Sequence, residues 1–137
     1  MATEDFGRRR NNLFFDESPF LVGVVGYDLK LKVANPAWQK ILGYPREELL
    51  DRPLSRLVDR GEHAALLMLV NPRLFTAGAK PVEFSLRCKD GTYKCFLWER
   101  RPLPADQAMF VQGTDITQKK RMEVTANLQS YLRSRKT

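Results

Sequence analysis

An Asp90-Gly91 turn constrains the fold of this 137-residue chain more than any other feature. It separates two segments in which apolar and polar side chains alternate, and Gly accepts the positive φ that a two-residue hairpin turn requires. With the turn centred there, Cys88 would face Tyr93 and Leu86 would face Cys95, so the cysteines would be diagonal neighbours on one face. Diagonal Cα atoms lie about 7–8 Å apart, beyond comfortable disulfide reach. The pattern predicts an antiparallel hairpin with two reduced thiols.

The other segments predict two strands, a group of short helices, and then three strands. Such an order is typical of an α+β fold, here a five-stranded antiparallel sheet with short helices on one face. We expect an N-terminal cap helix that ends in the apolar cluster Leu13-Phe14-Phe15 and a C-terminal linker helix that starts near Gln118. The predicted strands span residues 20–25, 29–33, 82–89, 92–101 and 109–114, and the helices between them span residues 36–42, 45–50 and 61–70.

The first of these helices has clear boundary signals. Asn35 can cap free backbone amides, and Pro36 at the first helical position loses no hydrogen bond. Gly43 is placed to end the helix.

The net charge of +7 is concentrated in the last segment of the chain. Residues 13–116 contain 14 basic and 13 acidic side chains, whereas residues 117–137 contain six basic side chains and a single acid. The charge excess therefore belongs to a helix rather than to the predicted sheet. Without a basic patch interleaved with aromatic residues or a nucleic-acid motif, we expect no nucleic-acid binding.

Targeting and membrane signals are also lacking in the sequence. No apolar run approaches the roughly 18 residues needed to span a bilayer, and residues 1–10 lack the apolar segment of a signal peptide. With two cysteines expected to be reduced, the sequence predicts a cytoplasmic protein.

Four motifs in this order and at this spacing resemble the PAS sensor domain. They are Asn35-Pro-Ala-Trp-Gln-Lys-Ile-Leu-Gly-Tyr44, Glu47-Glu-Leu-Leu50, Arg87-Cys-Lys-Asp-Gly-Thr-Tyr93 and Thr114-Asp-Ile-Thr117. The resemblance is closest to PAS modules that precede histidine kinases and diguanylate cyclases in bacteria. It implies a small internal cavity, pairing of domains, and a C-terminal helix that continues as a coiled coil into an effector. The expected organisation is a cap segment (1–12), a PAS domain (13–116) and a linker helix (117–137).

The residues argue against catalysis. His63 is the only histidine, which excludes a multi-histidine metal site, and we expect no metal. No serine lies in a nucleophile-elbow context and no Gly-rich phosphate loop is present. We therefore expect a protein that is not an enzyme.

The resemblance also constrains cofactors. Light-sensing LOV members carry a reactive Cys in an Asn-Cys-Arg-Phe-Leu-Gln motif after the Glu-Glu-Leu-Leu helix, and Leu54 stands at that position here. A flavin–cysteinyl adduct is therefore excluded. Haem-binding members use a histidine of the long helix, but the polar residues before His63 favour a solvent-exposed side chain. The cofactor is unknown, and we expect none to be tightly bound.

Strand and helix periodicity predicts which residues line the interior of the domain. These residues either form an ordinary packed core or surround a pocket for a small apolar ligand. The candidates are Val22, Val24, Leu31, Val33, Ile41, Leu57, Leu67, Phe84, Leu86, Leu97, Met109 and Val111.

Two surfaces are predicted to carry recognition. Phe96 and Trp98 share one face of their strand and are expected to receive Leu13, Phe14 and Phe15 from the same chain or from a partner. The last helix has about two heptads of imperfect apolar seam, which predicts the start of a longer coiled coil. The resemblance to PAS domains implies that the chain forms a homodimer.

Asp115, Ile116 and Thr117 lie at the last strand–helix junction. There a carboxylate or hydroxyl either caps the helix or, as the resemblance implies, couples the sheet to a C-terminal effector domain or partner kinase. The hypothesis is a sensory, signal-relay and dimerisation module. The alternatives are a specific small-molecule or haem receptor, and an interaction scaffold without input.

Overall fold

The computed structural model describes residues 14–76 and 78–135. The strands are β1 (Leu21–Gly26), β2 (Leu31–Ala34), β3 (Val82–Arg87), β4 (Tyr93–Leu103) and β5 (Ala108–Asp115). The helices are α1 (Pro36–Leu42), α2 (Arg46–Leu49), α3 (His63–Val70) and α4 (Thr117–Arg135). Short 3₁₀ turns span Leu54–Leu57, Arg60–Glu62, Pro72–Leu74 and Pro104–Asp106, and residues 14–17 are helical. The predicted cap segment 1–12, Leu13 and the end of the linker helix at 136–137 lie outside the described residues.

The five strands form a single antiparallel sheet in the order β2-β1-β5-β4-β3. Helices α1 to α3 connect β2 to β3 and cover one face of it. The predicted α+β fold is therefore confirmed. The central position of β5, between β1 and β4, means that α4 leaves the sheet from its middle rather than from an edge.

The helix-covered face is filled by a cluster of aromatic rings. Trp98 lies at its centre, stacked on Phe84 at 5.1 Å between ring centroids. Trp38 from α1 and Phe96 approach the same ring at 5.9 and 5.6 Å. All four side chains are fully buried. Buried aromatic side chains bring large apolar area and specific ring geometry, so this cluster fixes how the helices sit on the sheet.

Two glycines make room for the tryptophans. A Cβ on Gly113 would lie 2.7 Å from Trp98 Cζ3, because the indole lies flat against the neighbouring strand. A Cβ on Gly23 would lie 3.4 Å from the Trp38 ring and 2.4 Å from the Val33 carbonyl oxygen. Both strands therefore need a residue without a side chain where an indole crosses them.

The β3–β4 hairpin exists, but its predicted register is wrong by one residue. Cys88 and Thr92 close the turn through a Cys88 N–H to Thr92 O hydrogen bond of 2.7 Å, and Gly91 has φ +91°. Three residues thus form the loop instead of two. Ser85 consequently faces Cys95, and the two free cysteines lie on opposite faces of the hairpin.

The boundaries of α1 agree only partly with their signals. Gly43 ends the helix in the left-handed conformation with φ +88°, as predicted. Asn35 does not cap the helix through its side chain. Instead it is 2% exposed, accepts a hydrogen bond from Val22 N–H, and donates to the Phe15 and Phe20 carbonyl oxygens. Its amide therefore joins the first described segment and the start of β1 to the end of β2.

Candidate functional site

The junction between β5 and α4 is held by a compact set of hydrogen bonds. Asp115 Oδ1 accepts from the backbone N–H of Thr117 at 2.9 Å and from the Thr117 hydroxyl at 2.6 Å. The carboxylate thus binds the free backbone amide of the first residue of the helix. Such capping is one of the two roles that the sequence allowed for this residue. The same bonds also fix the orientation of the Thr117 hydroxyl.

That hydroxyl is bound to the neighbouring strand as well. Cys95 on β4 donates its backbone N–H to Thr117 Oγ1 at 2.9 Å, and the Cys95 carbonyl accepts from Ile116 N–H at 2.8 Å. Both backbone groups of one β4 residue are therefore joined to the first turn of α4. A displacement of β4 along its length would change these bonds directly.

A third connection reaches the edge strand. Lys120 Nζ lies 2.9 Å from Glu83 Oε2 on β3 and 3.8 Å from Glu123 Oε2 in α4. Hydrogen bonding and charge attraction from Glu83 raise the pKa of Lys120. Sequence reasoning missed this pair, since nothing local relates two charges that are 37 positions apart.

The Cys95 thiol lies beside the same junction. It is half-buried, and burial is the main cause that raises the pKa of Cys95, whereas the Ser85 hydroxyl opposes the shift. The thiol is therefore mostly protonated at neutral pH and weakly nucleophilic. Cys88 is 4% exposed, with its sulfur 3.9 Å from the Ile41 carbonyl oxygen.

The predicted pocket residues divide into two groups. Seven lie in or against the helix-covered core; they are Leu31, Leu57, Phe84, Leu86, Met109 and Val111, with Ile41 partly buried beside them. The other five do not share that interior; they are Val22, Val24, Val33, Leu67 and Leu97.

Two reasons explain the second group. In β1 and β4 both faces are apolar, and the prediction assigned the inward-facing residues to the wrong face. In addition, a bulge between Val24 and Val25 shifts the pairing of β1 with β2. Val33 is consequently 40% exposed. On α3 the buried positions are Leu66 and Leu69, whereas Leu67 is 55% exposed.

The faces of β4 are the reverse of the expectation. Phe96 and Trp98 lie under the helices and are fully buried, so they are not available to receive another segment. The residues facing away from the helices are Tyr93, Cys95 and Leu97. Phe14 is 70% exposed and Phe15 half-buried.

His63 begins α3, but it is half-buried rather than exposed. Its Nε2 lies 2.9 Å from the Val58 carbonyl oxygen, which can accept a hydrogen bond from that nitrogen. Among residues 14–76 and 78–135, no group of three or more His, Cys, Asp or Glu side chains could hold a metal ion.

The α4 helix presents an exposed apolar series beyond its first turn. Its members are Met122, Val124, Leu128, Tyr131 and Leu132, each at least 49% exposed. None of the described helices combines the length and apolar character needed to cross a bilayer.

Known proteins share this fold. Residues 15–121 match the family described as the PAS fold. The PAS domain of an HTR-like protein from Haloarcula marismortui is similar with a TM-score of 0.67 and 19% identity, over 84% of this chain and 96% of that one. No match is found among curated proteins.

Two further similar structures belong to a sensory histidine kinase and to a quorum-sensing receptor. A sensory box histidine kinase/response regulator from Burkholderia thailandensis is 21% identical with a TM-score of 0.66, covering 92% of this chain and 98% of that one. The PAS domain of the RpfR quorum-sensing receptor from Cronobacter turicensis, in complex with C12:0, is 17% identical with a TM-score of 0.60, covering 73% and 96% respectively. At these identities the likeness concerns the fold.

Proposed function

The chain belongs to the PAS family, and from that premise we propose that it is a non-enzymatic sensory and signal-relay module that acts on an effector through α4. The effector is of the histidine kinase or diguanylate cyclase type. Similarity to a sensory box histidine kinase supports this class of effector. Two free thiols are in keeping with a cytoplasmic setting.

The observation that carries the proposal is the double attachment of Cys95 to the start of α4. Its N–H binds Thr117 Oγ1 and its carbonyl binds Ile116 N–H, while Asp115 orients the hydroxyl between them. A change in the position of β4 is passed to the helix because these bonds join the two elements directly. Asp115, Ile116 and Thr117 are thus the relay residues of the proposal.

The interior reaches the junction through the same two strands. Trp98 lies against Gly113, and Phe96 pairs with Asp115 in the β4–β5 register. Repacking of the aromatic cluster would therefore act on β5 within two residues of the relay. Coupling of this kind needs an element with two arrangements, which we assign to the first turn of α4.

Fusion of the full chain, through α4, to the catalytic part of a histidine kinase tests the relay. Asp115→Ala and Thr117→Val should leave the fold intact, as judged by circular dichroism, and change autophosphorylation at least severalfold. Thr117→Ser keeps the hydroxyl and serves as the matched control. If both variants kept wild-type kinase output and response, the relay role would be wrong.

We further propose that the chain pairs as a homodimer through α4. The exposed apolar series on this helix supports it, since about two heptads of imperfect seam gain stability only when continued in a longer coiled coil. Sedimentation of the full chain by itself at high protein concentration should give a dimer. Met122→Glu together with Leu128→Glu should dissociate it, and a monomer before substitution would overturn the pairing.

A second candidate function, a receptor for a small apolar ligand, rests on one specific observation. Trp98 Nε1 is buried without a hydrogen-bond partner in the described part of the chain. A buried, unpaired donor costs free energy, and a ligand with one acceptor atom would satisfy it. A native mass spectrum of the purified chain tests this: a reproducible extra mass supports a receptor, and bare chain mass favours the relay whose input comes from a protein partner.

A further inference from the structure

A second site lies outside the core, on the opposite face of the sheet. An open cleft of about 700 Å³ is bounded by β4, β5 and the segment that leads into β3. In the β4–β5 register Glu99 faces Gln112 and Arg101 faces Phe110. These four side chains alternate with core residues and therefore share the face turned away from the helices. The volume is within the range of small-molecule sites, about 300–1,000 Å³.

One wall of the cleft is held rigidly. Arg100 donates from Nη1 to the Lys80 carbonyl oxygen at 3.1 Å, and its Cζ lies 5.7 Å from the centroid of the Phe75 ring. The guanidinium is thereby fixed against an aromatic side chain. Phe75 and Phe110, which is 37% exposed, both line the cleft and offer apolar surface to a ligand.

Unlike Arg100, three polar side chains of the cleft have no partner among the described residues: Glu99, Arg101 and Gln112. Glu99 and Arg101 carry opposite charges two positions apart on one face, yet they form no ion pair with each other or with any other described residue. The Gln112 side chain also has no hydrogen bond among the residues that the structure describes. A guanidinium cation, a carboxylate anion and a neutral amide therefore line the cleft with their hydrogen-bonding groups available to a ligand.

These charges select the ligand class. A simple anion would be attracted by Arg101 but repelled by Glu99, and a simple cation would be attracted by Glu99 but repelled by Arg101. A zwitterion satisfies both, with its carboxylate on the Arg101 guanidinium and its ammonium on the Glu99 carboxylate. Phe75 and Phe110 favour an aromatic body, because rings pack well against one another in partly buried sites.

From this arrangement we propose that the cleft binds a free aromatic α-amino acid, with Arg101 and Glu99 as its two charge partners. The site is separate from the helix-covered interior and from the α4 junction. Its existence does not depend on the relay proposed above. It adds to the sheet a ligand site that spans β4 and β5, the two strands that lead to α4.

Calorimetric titration of the full chain with three probes tests the proposal. L-phenylalanine carries both charges, phenylacetate only the carboxylate, and phenethylamine only the ammonium. Because each analogue lacks one of the two charged contacts, L-phenylalanine should bind at least about tenfold more tightly than either analogue. Equal affinity for the three probes, or no saturable binding of L-phenylalanine, would overturn the zwitterion site.

Two neutralising variants assign the charges. Glu99→Gln should lower the affinity for L-phenylalanine to that of phenylacetate, and Arg101→Gln should lower it to that of phenethylamine. Glu47→Gln and Arg73→Gln are matched controls, since both residues are exposed and neither lines the cleft. If L-phenylalanine bound equally well to all four variants, its site would lie elsewhere and the proposal would be wrong.

Discussion

The two faces of the sheet differ in the burial of their side chains and in the partners that those side chains have. On the helix-covered face, Trp98 and Phe96 are fully buried within an aromatic cluster. On the other face of the same strand, Glu99 and Arg101 are exposed and unpaired among the described residues. Alternation places both kinds of side chain at successive positions of β4.

The packing that stabilises the fold and the side chains to which we assign a response therefore lie on different faces of the sheet. The buried face supplies the packing that determines the free energy of unfolding. Side chains on the open face and at the α4 junction can exchange hydrogen-bond or ion-pair partners without disrupting the buried core. The buried face reaches the junction along β5, because Gly113 and Asp115 pair with Trp98 and Phe96 and Asp115 caps α4.

The largest expected effect tests the buried face. Trp98→Ala removes the central ring of the cluster and should lower the free energy of unfolding by about 3–5 kcal/mol. Tyr93→Ala, on the open face of the same strand, should cost less than about 1 kcal/mol. Urea unfolding followed by circular dichroism measures both. Equal costs for the two variants would mean that the faces do not differ as described.

A smaller effect is expected where the strand must lack a side chain. Gly113→Ala places a Cβ 2.7 Å from Trp98 Cζ3, so overpacking should cost about 1–3 kcal/mol. Trp98→Phe in the same chain shortens the ring system and should recover part of that cost, which a double-mutant cycle measures. Gly61→Ala meets only the flexible Asp59 carboxylate and serves as the control. Independent, additive effects of Gly113→Ala and Trp98→Phe would contradict the contact.

The sequence predicts the inner face well where alternation is clean. In β3 the buried positions Val82, Phe84 and Leu86 alternate with polar residues, and a period of two identifies them. In β4 the segment from Cys95 to Trp98 is apolar at every position, so alternation alone cannot say which side faces the helices. The assignment that placed Leu97 inside and Trp98 outside therefore failed.

The glycines supply a signal that the prediction did not use. Gly113 and Gly23 lie where an indole crosses a strand, and each marks the face on which a tryptophan packs. The hairpin register was wrong for a related reason, since Asp-Gly is compatible with both two- and three-residue loops. A single extra loop residue exchanges the faces of every residue in one strand.

The sequence predicts only some of the contacts at the junction of β5 and α4. Asp115 and Thr117 have the chemistry of capping residues, and the sequence places them between a strand and a helix. Their partner Cys95 and the Lys120–Glu83 pair depend on strand register and on the direction of α4. Neither can be derived from local pattern, because both are set by tertiary packing.

An effect of intermediate size is expected at the junction of β5 and α4. Thr117→Val removes the acceptor for Cys95 N–H and should lower the free energy of unfolding by only about 1 kcal/mol. It should also loosen α4 and expose the Cys95 thiol, so that iodoacetamide labels Cys95 severalfold faster at constant pH. Cys88, on the buried face, should stay unlabelled in the native protein.

Thr117→Ser retains the hydroxyl and should label at the wild-type rate. Mass spectrometry of peptides distinguishes the two thiols. Unchanged labelling of Cys95 in Thr117→Val would show that the hydroxyl does not hold the helix on β4, and the relay would lose its structural basis.

The smallest effect is expected at the exposed ion pair that joins α4 to the edge strand. Lys120→Gln removes the partner of Glu83. Since both side chains are more than 40% exposed, the thermal midpoint should fall only slightly, and the decrease should be smaller still in high salt.

The pKa of Lys120 is raised in the folded protein, mainly by Glu83. Its contribution is therefore fully present below the unfolded pKa near 10.5 and is lost as the pH rises through the folded pKa. Midpoints of wild type and variant should thus differ at neutral pH and converge in strong alkali, whereas Lys119→Gln, which carries an equal charge change on an exposed neighbour, should show no such convergence. A constant difference across this pH range would mean that Lys120 supports the helix by packing rather than by its charge.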